Sequence, residues 1–432
     1  MITPSTRLLL VTAIIVVPTA TLAGFVPAAT PACVAILVAL AAIALVDAVR
    51  AVHLLQAITA RAPQMLRLTK NVAAAVPITF ENRSTDLLPL RLWGRPPGLP
   101  LSYSVPAGNS RLDYPVTVAT RGDHPFSQLY LETPSPLGLW LARDVRPLDC
   151  TLRVYPNLRD RATAALFLRT ADLGVRLHRQ VGKGREFDNL RHYLPGDSFE
   201  DIHWKATARR GFPTVKLYSV EHSQEIYAVV DSSRLSARDG ILEAYVDAAL
   251  HLALVAQRQG DRFGLVTFSD RTHKFVRAAN GMDHFRLCRE AIYNLQAQRV
   301  SPDFRDVFTS LQVNLRRRSL LVFFTSLDDA LLAETFEREV GLLARRHLVR
   351  VNVMQTPGLK PLFSGDAPRD IEALQDIDAL YAGLAGQMVS NRMRELKIAL
   401  QNRGVRMQIV DSGRIKAQVT SQYLDVKRRQ AL

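Results

Sequence analysis

The sequence predicts an α/β protein built on a doubly wound, mostly parallel sheet, preceded by a transmembrane helical hairpin and a small β-sandwich. Three observations carry that prediction. From residue 225 onward short apolar β-rich runs alternate with amphipathic helical stretches, the βαβ pattern of a parallel sheet. Near the N-terminus two long apolar runs stand close together. Between them and residue 159, short β-rich runs are punctuated by Pro, Gly, Asn and Asp. A chain of 432 residues exceeds one typical domain, and it reads as a hairpin over 1–62, a sandwich over 63–158, a connector and signature segment over 159–224, and an α/β domain over 225–432.

The hairpin rests on Leu8 to Val26 and Pro31 to Val49. Each run has about 19 residues and spans about 28 Å as a helix, close to the hydrocarbon thickness of a bilayer. The connection around Gly24, Pro27 and Pro31 is uncharged, whereas Arg7 precedes the first run and Arg50, Arg61, Arg67 and Lys70 follow the second. That asymmetry places both ends of the hairpin, and everything beyond residue 50, on the cytoplasmic side of a bacterial inner membrane. The rival reading is a cleaved signal peptide ending near Leu22-Ala23. Its n-region would hold a single Arg, and the second run would still anchor the product with its positive flank on the wrong side.

The sandwich rests on Ala75 to Glu81, Leu88 to Leu92, Pro115 to Ala119 and Gln128 to Glu132, spaced like the strands of a small two-sheet domain. No cluster of His, Cys or paired carboxylates falls within it, so its role is packing or partner binding. Arg159 to Lys183 reads as a mostly helical, basic connector. The signature segment, Gly184 to Glu221, then alternates charged, aromatic and turn residues too closely for an ordinary amphipathic element. Pro195-Gly196-Asp197 is a turn, Ser198 caps a helix over Phe199 to Arg210 with Asp201 reaching back, and Gly211 and Pro213 end it. Thr214 to Val220 reads as a strand.

In the α/β domain the predicted strands are Ile226-Val230, Phe263-Phe268, Leu320-Thr325, Val349-Met354 and Val405-Val410, with Thr272 to Arg277 as an antiparallel edge. Helices are predicted near 241–258, 284–296, 304–315, 333–346 and 377–402. Such a sheet carries its site at the carboxyl ends of the strands, here Asp231-Ser233, Ser269-Asp270 and Ser326-Asp329. No GxGxxG follows a strand and no GxxxxGK[ST] occurs, which excludes a Rossmann cofactor site and an intrinsic P-loop ATPase.

The words Arg191-His-Tyr-Leu-Pro-Gly-Asp197 and Asp201-Ile-His-Trp-Lys-Ala-Thr-Ala-Arg209, followed by an apolar strand ending in Asp-Ser-Ser, resemble the signature of a bacterial membrane-protein family filed as domain of unknown function fifty-eight. Thr120-Arg-Gly-Asp123, Ser135-Pro-Leu-Gly-Leu-Trp140, Arg153-Val-Tyr-Pro156 and Tyr423-Leu-Asp-Val-Lys-Arg428 fall where members carry similar words. The resemblance implies a von Willebrand factor A-like core and, because genes of this family often lie beside those of MoxR-type AAA+ ATPases, a partner of that kind. It implies no established reaction.

In von Willebrand A domains an Asp-x-Ser-x-Ser, a later Thr and a third-loop Asp surround a divalent cation, the oxygen-rich shell that Mg²⁺ requires. This sequence offers Asp231 and Ser233, with Asp328 or Asp329 as the third-loop acid. Leu235 stands where the second Ser belongs, and Val300-Ser-Pro-Asp303 lacks the expected Thr pattern, so the metal set is degenerate. The signature residues Arg191, Tyr193, Pro195, Gly196, Asp197, Asp201, His203, Trp204, Lys205 and Arg209 read either as a recognition surface or as an ion-paired network with a buried Trp204, and the second reading is favoured. His203 beside Asp201 has no Ser or Cys nucleophile motif near it, so catalysis is not indicated. Arg316-Arg317-Arg318 reads as a complement to a helix dipole.

The net charge of +15 is dispersed in short basic doublets and triplets, and three cysteines lie far apart without a CxxC pair. These features exclude a disulfide framework and a zinc site and fit a solvated cytoplasmic surface near an anionic leaflet. The leading expectation is a non-enzymatic, membrane-anchored adaptor without a cofactor, presenting an unknown client protein to a MoxR-type ATPase. A metal-dependent enzyme or metal-bridged module at Asp231, Ser233 and Asp328 is the alternative. Nucleic-acid binding is a third, weakened by dispersed charge and the lack of an aromatic-rich RNA motif.

Overall fold

Both apolar runs fold as helices, α1 (Thr6–Phe25) and α2 (Thr30–Gln56), joined by a single 3₁₀ turn at Pro27–Ala29. In this computed structural model, residues 1–85, 87–95, 101–158, 181–219, 224–238, 240–354, 377–411 and 413–429 are described. The chain divides into two compact units, Met1–Asn157 and Leu158–Leu432. Both helices are long and apolar enough to cross a membrane. Helix α2 runs well past Val49, because no Gly or Pro interrupts Ala51 to Gln56 and because Ala51 and Leu55 are buried in the sandwich core.

The boundary at residue 62 is therefore displaced. Strand β1 (Ile2–Pro4) pairs antiparallel with Trp140–Ala142, and β2 (Ile58–Arg61) pairs with Thr79–Asn82, so both flanks of the hairpin belong to the sandwich. Cleavage near Leu22-Ala23 would remove β1, which argues against the signal-peptide reading.

The remaining strands of the first unit are β3 (Met65–Thr69), β4 (Ala74–Asn82), β5 (Leu88–Arg95), β6 (Leu101–Val105), β7 (Gly108–Val116), β8 (Gly122–Pro134) and β9 (Trp140–Tyr155). One sheet has the order β1-β9-β8-β5-β6 with β3 also on β9, and the other has the order β2-β4-β7. They share one core: Val76, Ile78 and Phe80 alternate inward from β4 to meet Leu90 and Leu92 from β5 and Phe126, Leu129 and Leu131 from β8. This period-two burial is what the alternating sequence encodes. The strand expected over Pro115 to Ala119 stops at Val116 and starts earlier, at Gly108.

In the second unit, β10 (Val181–His192) and β11 (Thr214–Ser219) form an antiparallel ribbon that carries the signature segment between its strands. Most of the connector predicted over Arg159 to Lys183 lies outside the described residues, and its last residues begin β10 rather than a helix. Beyond the ribbon, β12 (Glu225–Asp231), β13 (Arg262–Phe268), β14 (Thr272–Ala279), β15 (Leu320–Phe324), β16 (Leu348–Met354) and β17 (Arg406–Val410) form a sheet of order β14-β13-β12-β15-β16-β17. All its pairings are parallel except the antiparallel β13–β14 edge. The order reverses at β12, between β13 and β15, which places the switch point at Asp231.

Both faces are covered. Ile226, Ala228 and Val230 pack with helices Ile241–Arg258, Met282–Ile292 and Ile415–Arg428. Tyr227 and Val229 point the other way, to helices Phe304–Asn314, Ala330–Arg346 and Ile377–Asn402. The C-terminal helix is an element the sequence reading missed. It is held by a buried cluster in which Tyr423 Oη and Lys427 Nζ both donate to Asp261, the lysine at 2.8 Å. Arg316, Arg317 and Arg318 follow the Leu315 cap instead of lying in the last helical turn, so the helix-dipole account does not hold for them.

Candidate functional site

The carboxyl end of β12 delivers Asp231 into full burial. Its Oδ1 accepts the Ser233 N–H at 2.7 Å, and its Oδ2 accepts the Thr325 hydroxyl at 2.6 Å from the end of β15. Burial pushes this carboxyl above its ordinary range, while the bonds from Thr325 and Ser233 oppose that shift. Ser233 Oγ in turn accepts the Leu235 N–H at 3.3 Å. Asp231 and Ser233 thus tie loop backbone together, each oxygen facing a protein donor.

Asp328 does not join them in a ligand set. Its Oδ2 accepts Arg238 Nη1 at 2.5 Å, and the neighbouring Asp329 accepts Arg234 Nη2 at 2.7 Å while capping helix Ala330–Arg346. The Arg234 guanidinium holds the Asp329 carboxyl below its usual range. Guanidinium groups therefore engage the acids that a cation would need, and no three His, Cys, Asp or Glu side chains converge as a metal group among the described residues. As arranged, this donor set does not fit a hard divalent cation.

At the end of β13, buried Ser269 Oγ lies 2.6 Å from His273 Nε2, 2.7 Å from Asp270 Oδ1 and 2.9 Å from Gln298 Oε1. The Ser–His contact has the spacing of a nucleophile and base. The same hydroxyl also has Asp270 and Gln298 as acceptors, and its bond to Asp270 holds that carboxyl below its ordinary range. Asp270 approaches the same Nε2, at 3.8 Å, instead of orienting the ring through Nδ1. These bonds tie the loop between β13 and β14 to Gln298. An open depression of about 620 Å³ lies on the three-stranded sheet of the first unit, lined by residues such as Arg61, Glu81 and Arg111, and involves none of these loops.

The signature segment departs further from its expected form. Phe199–Asp201 is a separate 3₁₀ turn, Ile202 makes an isolated bridge to Val215, and the α-helix runs only from Trp204 to Arg210. Its N-cap is His203, whose Nδ1 accepts the Ala206 N–H at 3.1 Å. Ser198 makes no side-chain cap. Gly211 does stop the helix, at φ 75°, and Gly196 turns the chain at φ 107° beside Pro195, both in the region that favours glycine.

The ion pair is present: Arg191 grips Asp197 with two bonds of 2.9 and 2.6 Å, and Asp197 also accepts the Leu194 N–H, so its carboxyl lies below the ordinary range. The Tyr193 ring lies against Phe199, with centroids 5.8 Å apart. Trp204 is not buried. It is 68% exposed, as are Phe199 at 72% and Leu194 at 57%. Lys205 and Arg209 are also exposed, and Asp201 is half-buried in the 3₁₀ turn. The segment therefore divides into an anchoring half, Arg191 to Asp197, and a presented half around Trp204.

Hairpin, sandwich and mostly parallel sheet together define a two-unit protein with N-terminal helices long and apolar enough to cross a membrane and an α/β unit whose mostly parallel sheet is covered on both faces. Residues 189–358, about two fifths of the chain, match the family model described as "Protein of unknown function DUF58". The uncharacterized protein YeaD of Bacillus subtilis (strain 168) is 25% identical over 177 residues, covering 40% of this chain and 43% of that relative, so the match spans under half of the relative's length. Among solved structures, the SpRpn10 VWA domain aligns at 11% identity and TM-score 0.28, covering 46% of this chain and 94% of that one. The hypothetical protein BatB of Bacteroides thetaiotaomicron aligns at 13% identity and TM-score 0.27, covering 47% and 99%.

Proposed function

We propose that the chain is a membrane-anchored, non-enzymatic interaction module that binds an acidic partner protein through the presented half of its signature segment. The carrying observation is the exposed face of helix Trp204–Arg210. Trp204 and Ala208 share one side at helical spacing, Lys205 and Arg209 lie beside them, and the helix contains no acid. Exposed tryptophan flanked by arginine is the composition of interaction hot spots. The contacts of Asp231 with Ser233 and Thr325, and of Asp328 with Arg238, at the strand ends support binding over catalysis. The family resemblance supplies the partner's class, a MoxR-type AAA+ ATPase to which the chain presents a client, and the apolar helices supply the anchor.

The test is affinity capture from native membranes with full-length protein, comparing Trp204→Ala and the pair Lys205→Glu/Arg209→Glu with the parent. The module reading expects both variants to melt within about 0.5 kcal/mol of the parent, as surface substitutions do, and to lose a shared AAA+ ATPase. Retention of that ATPase by both variants would sink it, as would salt-sensitive capture of nucleic acid in its place.

A further inference from the structure

We propose that the turn Ser135–Trp140 is a membrane-interface foot, which rests on the hairpin reading above: it seats the sandwich at headgroup level and puts Leu137 into the interfacial zone of the bilayer. The argument begins with Asp47. From Pro31 to Val46 helix α2 carries no charge, and Asp47 is the first that it meets. An acid at the end of such a run is costly unless fully partnered. Asp47 is 1% exposed, and one turn supplies three donors to it: Ser135 Oγ at 2.5 Å, Leu137 N at 2.9 Å and Leu139 N at 3.4 Å.

The same turn reaches both ends of the hairpin. Trp140 Nε1 donates to the Ala44 carbonyl at 2.8 Å, Ser5, which caps α1, donates to the Gly138 carbonyl at 2.6 Å, and Leu8, Ala44, Leu139 and Trp140 form a small apolar cluster. Gly138 lies at φ 72°, in the region that favours glycine, and packs close to Arg7, whose Nη1 would be 3.0 Å from a Cβ there. The turn is thus fixed at the level where uncharged helix gives way to Arg7, Asp47 and Arg50, which is where a bilayer's hydrocarbon ends. Fixed there, it leaves Leu137 57% exposed. At that depth the side chain meets lipid headgroups and upper acyl carbons, for which an apolar residue between a tryptophan and an arginine is suited.

Depth-dependent quenching tests this. The full chain is reconstituted in nanodiscs of mixed phosphatidylethanolamine and phosphatidylglycerol carrying doxyl lipid labelled near the headgroup or deep in the acyl chain. An environment-sensitive fluorophore is attached to Leu137→Cys, to Val38→Cys on the exposed side of α2, or to Val72→Cys. Val72 lies beyond the far end of β9, where Lys70 N–H bonds the Tyr155 carbonyl. The native cysteines are buried, and unmutated protein gives their background. The foot expects the Leu137 probe to be blue-shifted and quenched by the shallow label, Val38 by the deep label and Val72 by neither. A Leu137 probe that behaves like Val72 while Val38 is quenched would overturn the proposal and leave the hairpin standing. An unquenched Val38 would remove the hairpin reading and the foot with it. Asp47→Ala should cost Leu137 its quenching but leave that of Val38, whereas Asp47→Asn, which keeps an acceptor for the turn, should retain both; unchanged quenching in Asp47→Ala would reject Asp47 as the pin.

Discussion

Asp231 shows how far a residue's type can mislead about its work. An aspartate at a switch point reads as a ligand or catalyst, yet its two oxygens are occupied by the Ser233 N–H and the Thr325 hydroxyl. Its folded-state pKa is raised, so the stabilising contribution of the neutral form is complete below about 3.8, the unfolded value, and is lost as pH rises through the folded value. Burial makes the ionised form of Asp231 the costly one in the fold. Asp231→Asn should therefore melt at or above the parent temperature at pH 7, its oxygen still accepting Ser233 N–H and its amide donating to Thr325. Asp231→Ala, which strands two buried donors, should cost about 1–3 kcal/mol. Excess Mg²⁺ at matched ionic strength should move neither melt, whereas a bound ion at a hundredfold over Kd would add about 3 kcal/mol. The sequence made Asp231 and Ser233 legible but not Arg234, Arg238 or Thr325. Those partners are chosen by the approach of three strand ends, which no local pattern records. Trp204 failed for a related reason: large aromatics are usually buried, but a helix of barely two turns pinned by Ile202 has only one face to bury.

At the scale of elements, the strands of the sheet and the helix over 377–402 were legible because their apolar periods are long and uninterrupted. The C-terminal helix was not legible although Ile415, Val419 and Tyr423 recur every four residues, because Lys416, Gln418, Thr420, Ser421 and Gln422 between them leave only a short, narrow apolar stripe. His203 was missed as a cap because imidazole is not among the usual capping groups. The junction between helix Ala330–Arg346 and β16 yields an acid-sensitivity prediction. His347 caps that helix from a buried position, with neither ring nitrogen hydrogen-bonded. Burial depresses its pKa, and Arg346 and Arg318 add to the effect. Between the depressed folded value and the free value of about 6.5, the unfolded chain binds more protons. The contribution is complete above about 6.5 and is lost as pH falls through the folded value. Chemical denaturation at stepped pH should show His347→Leu losing less stability than the parent across that window, and parallel slopes would show that His347 does not titrate on unfolding.

For the whole molecule, the pairing of β1 with β9 has a topological consequence that hydropathy alone does not supply. A strand before α1 and the sandwich after α2 hydrogen-bond to each other, so both ends of the hairpin must lie on one side of whatever it crosses. The charges then choose the side: Arg7 and Arg50 flank the base and Arg61, Arg67 and Lys70 follow in the sandwich, against an uncharged tip around Ala28. By the positive-inside rule the side expected for the base is the cytoplasm, the compartment that the proposed ATPase partner requires. Ala28 and Arg67 are both exposed, so a cysteine at each reports its compartment without disturbing a core. In intact cells a membrane-impermeant maleimide should label Ala28→Cys, and should reach Arg67→Cys only after permeabilisation. Labelling of Arg67→Cys in intact cells would invert the whole molecule and remove any cytoplasmic ATPase as its partner. Labelling of both would be incompatible with a hairpin spanning the membrane, since the base and the tip would then share one side.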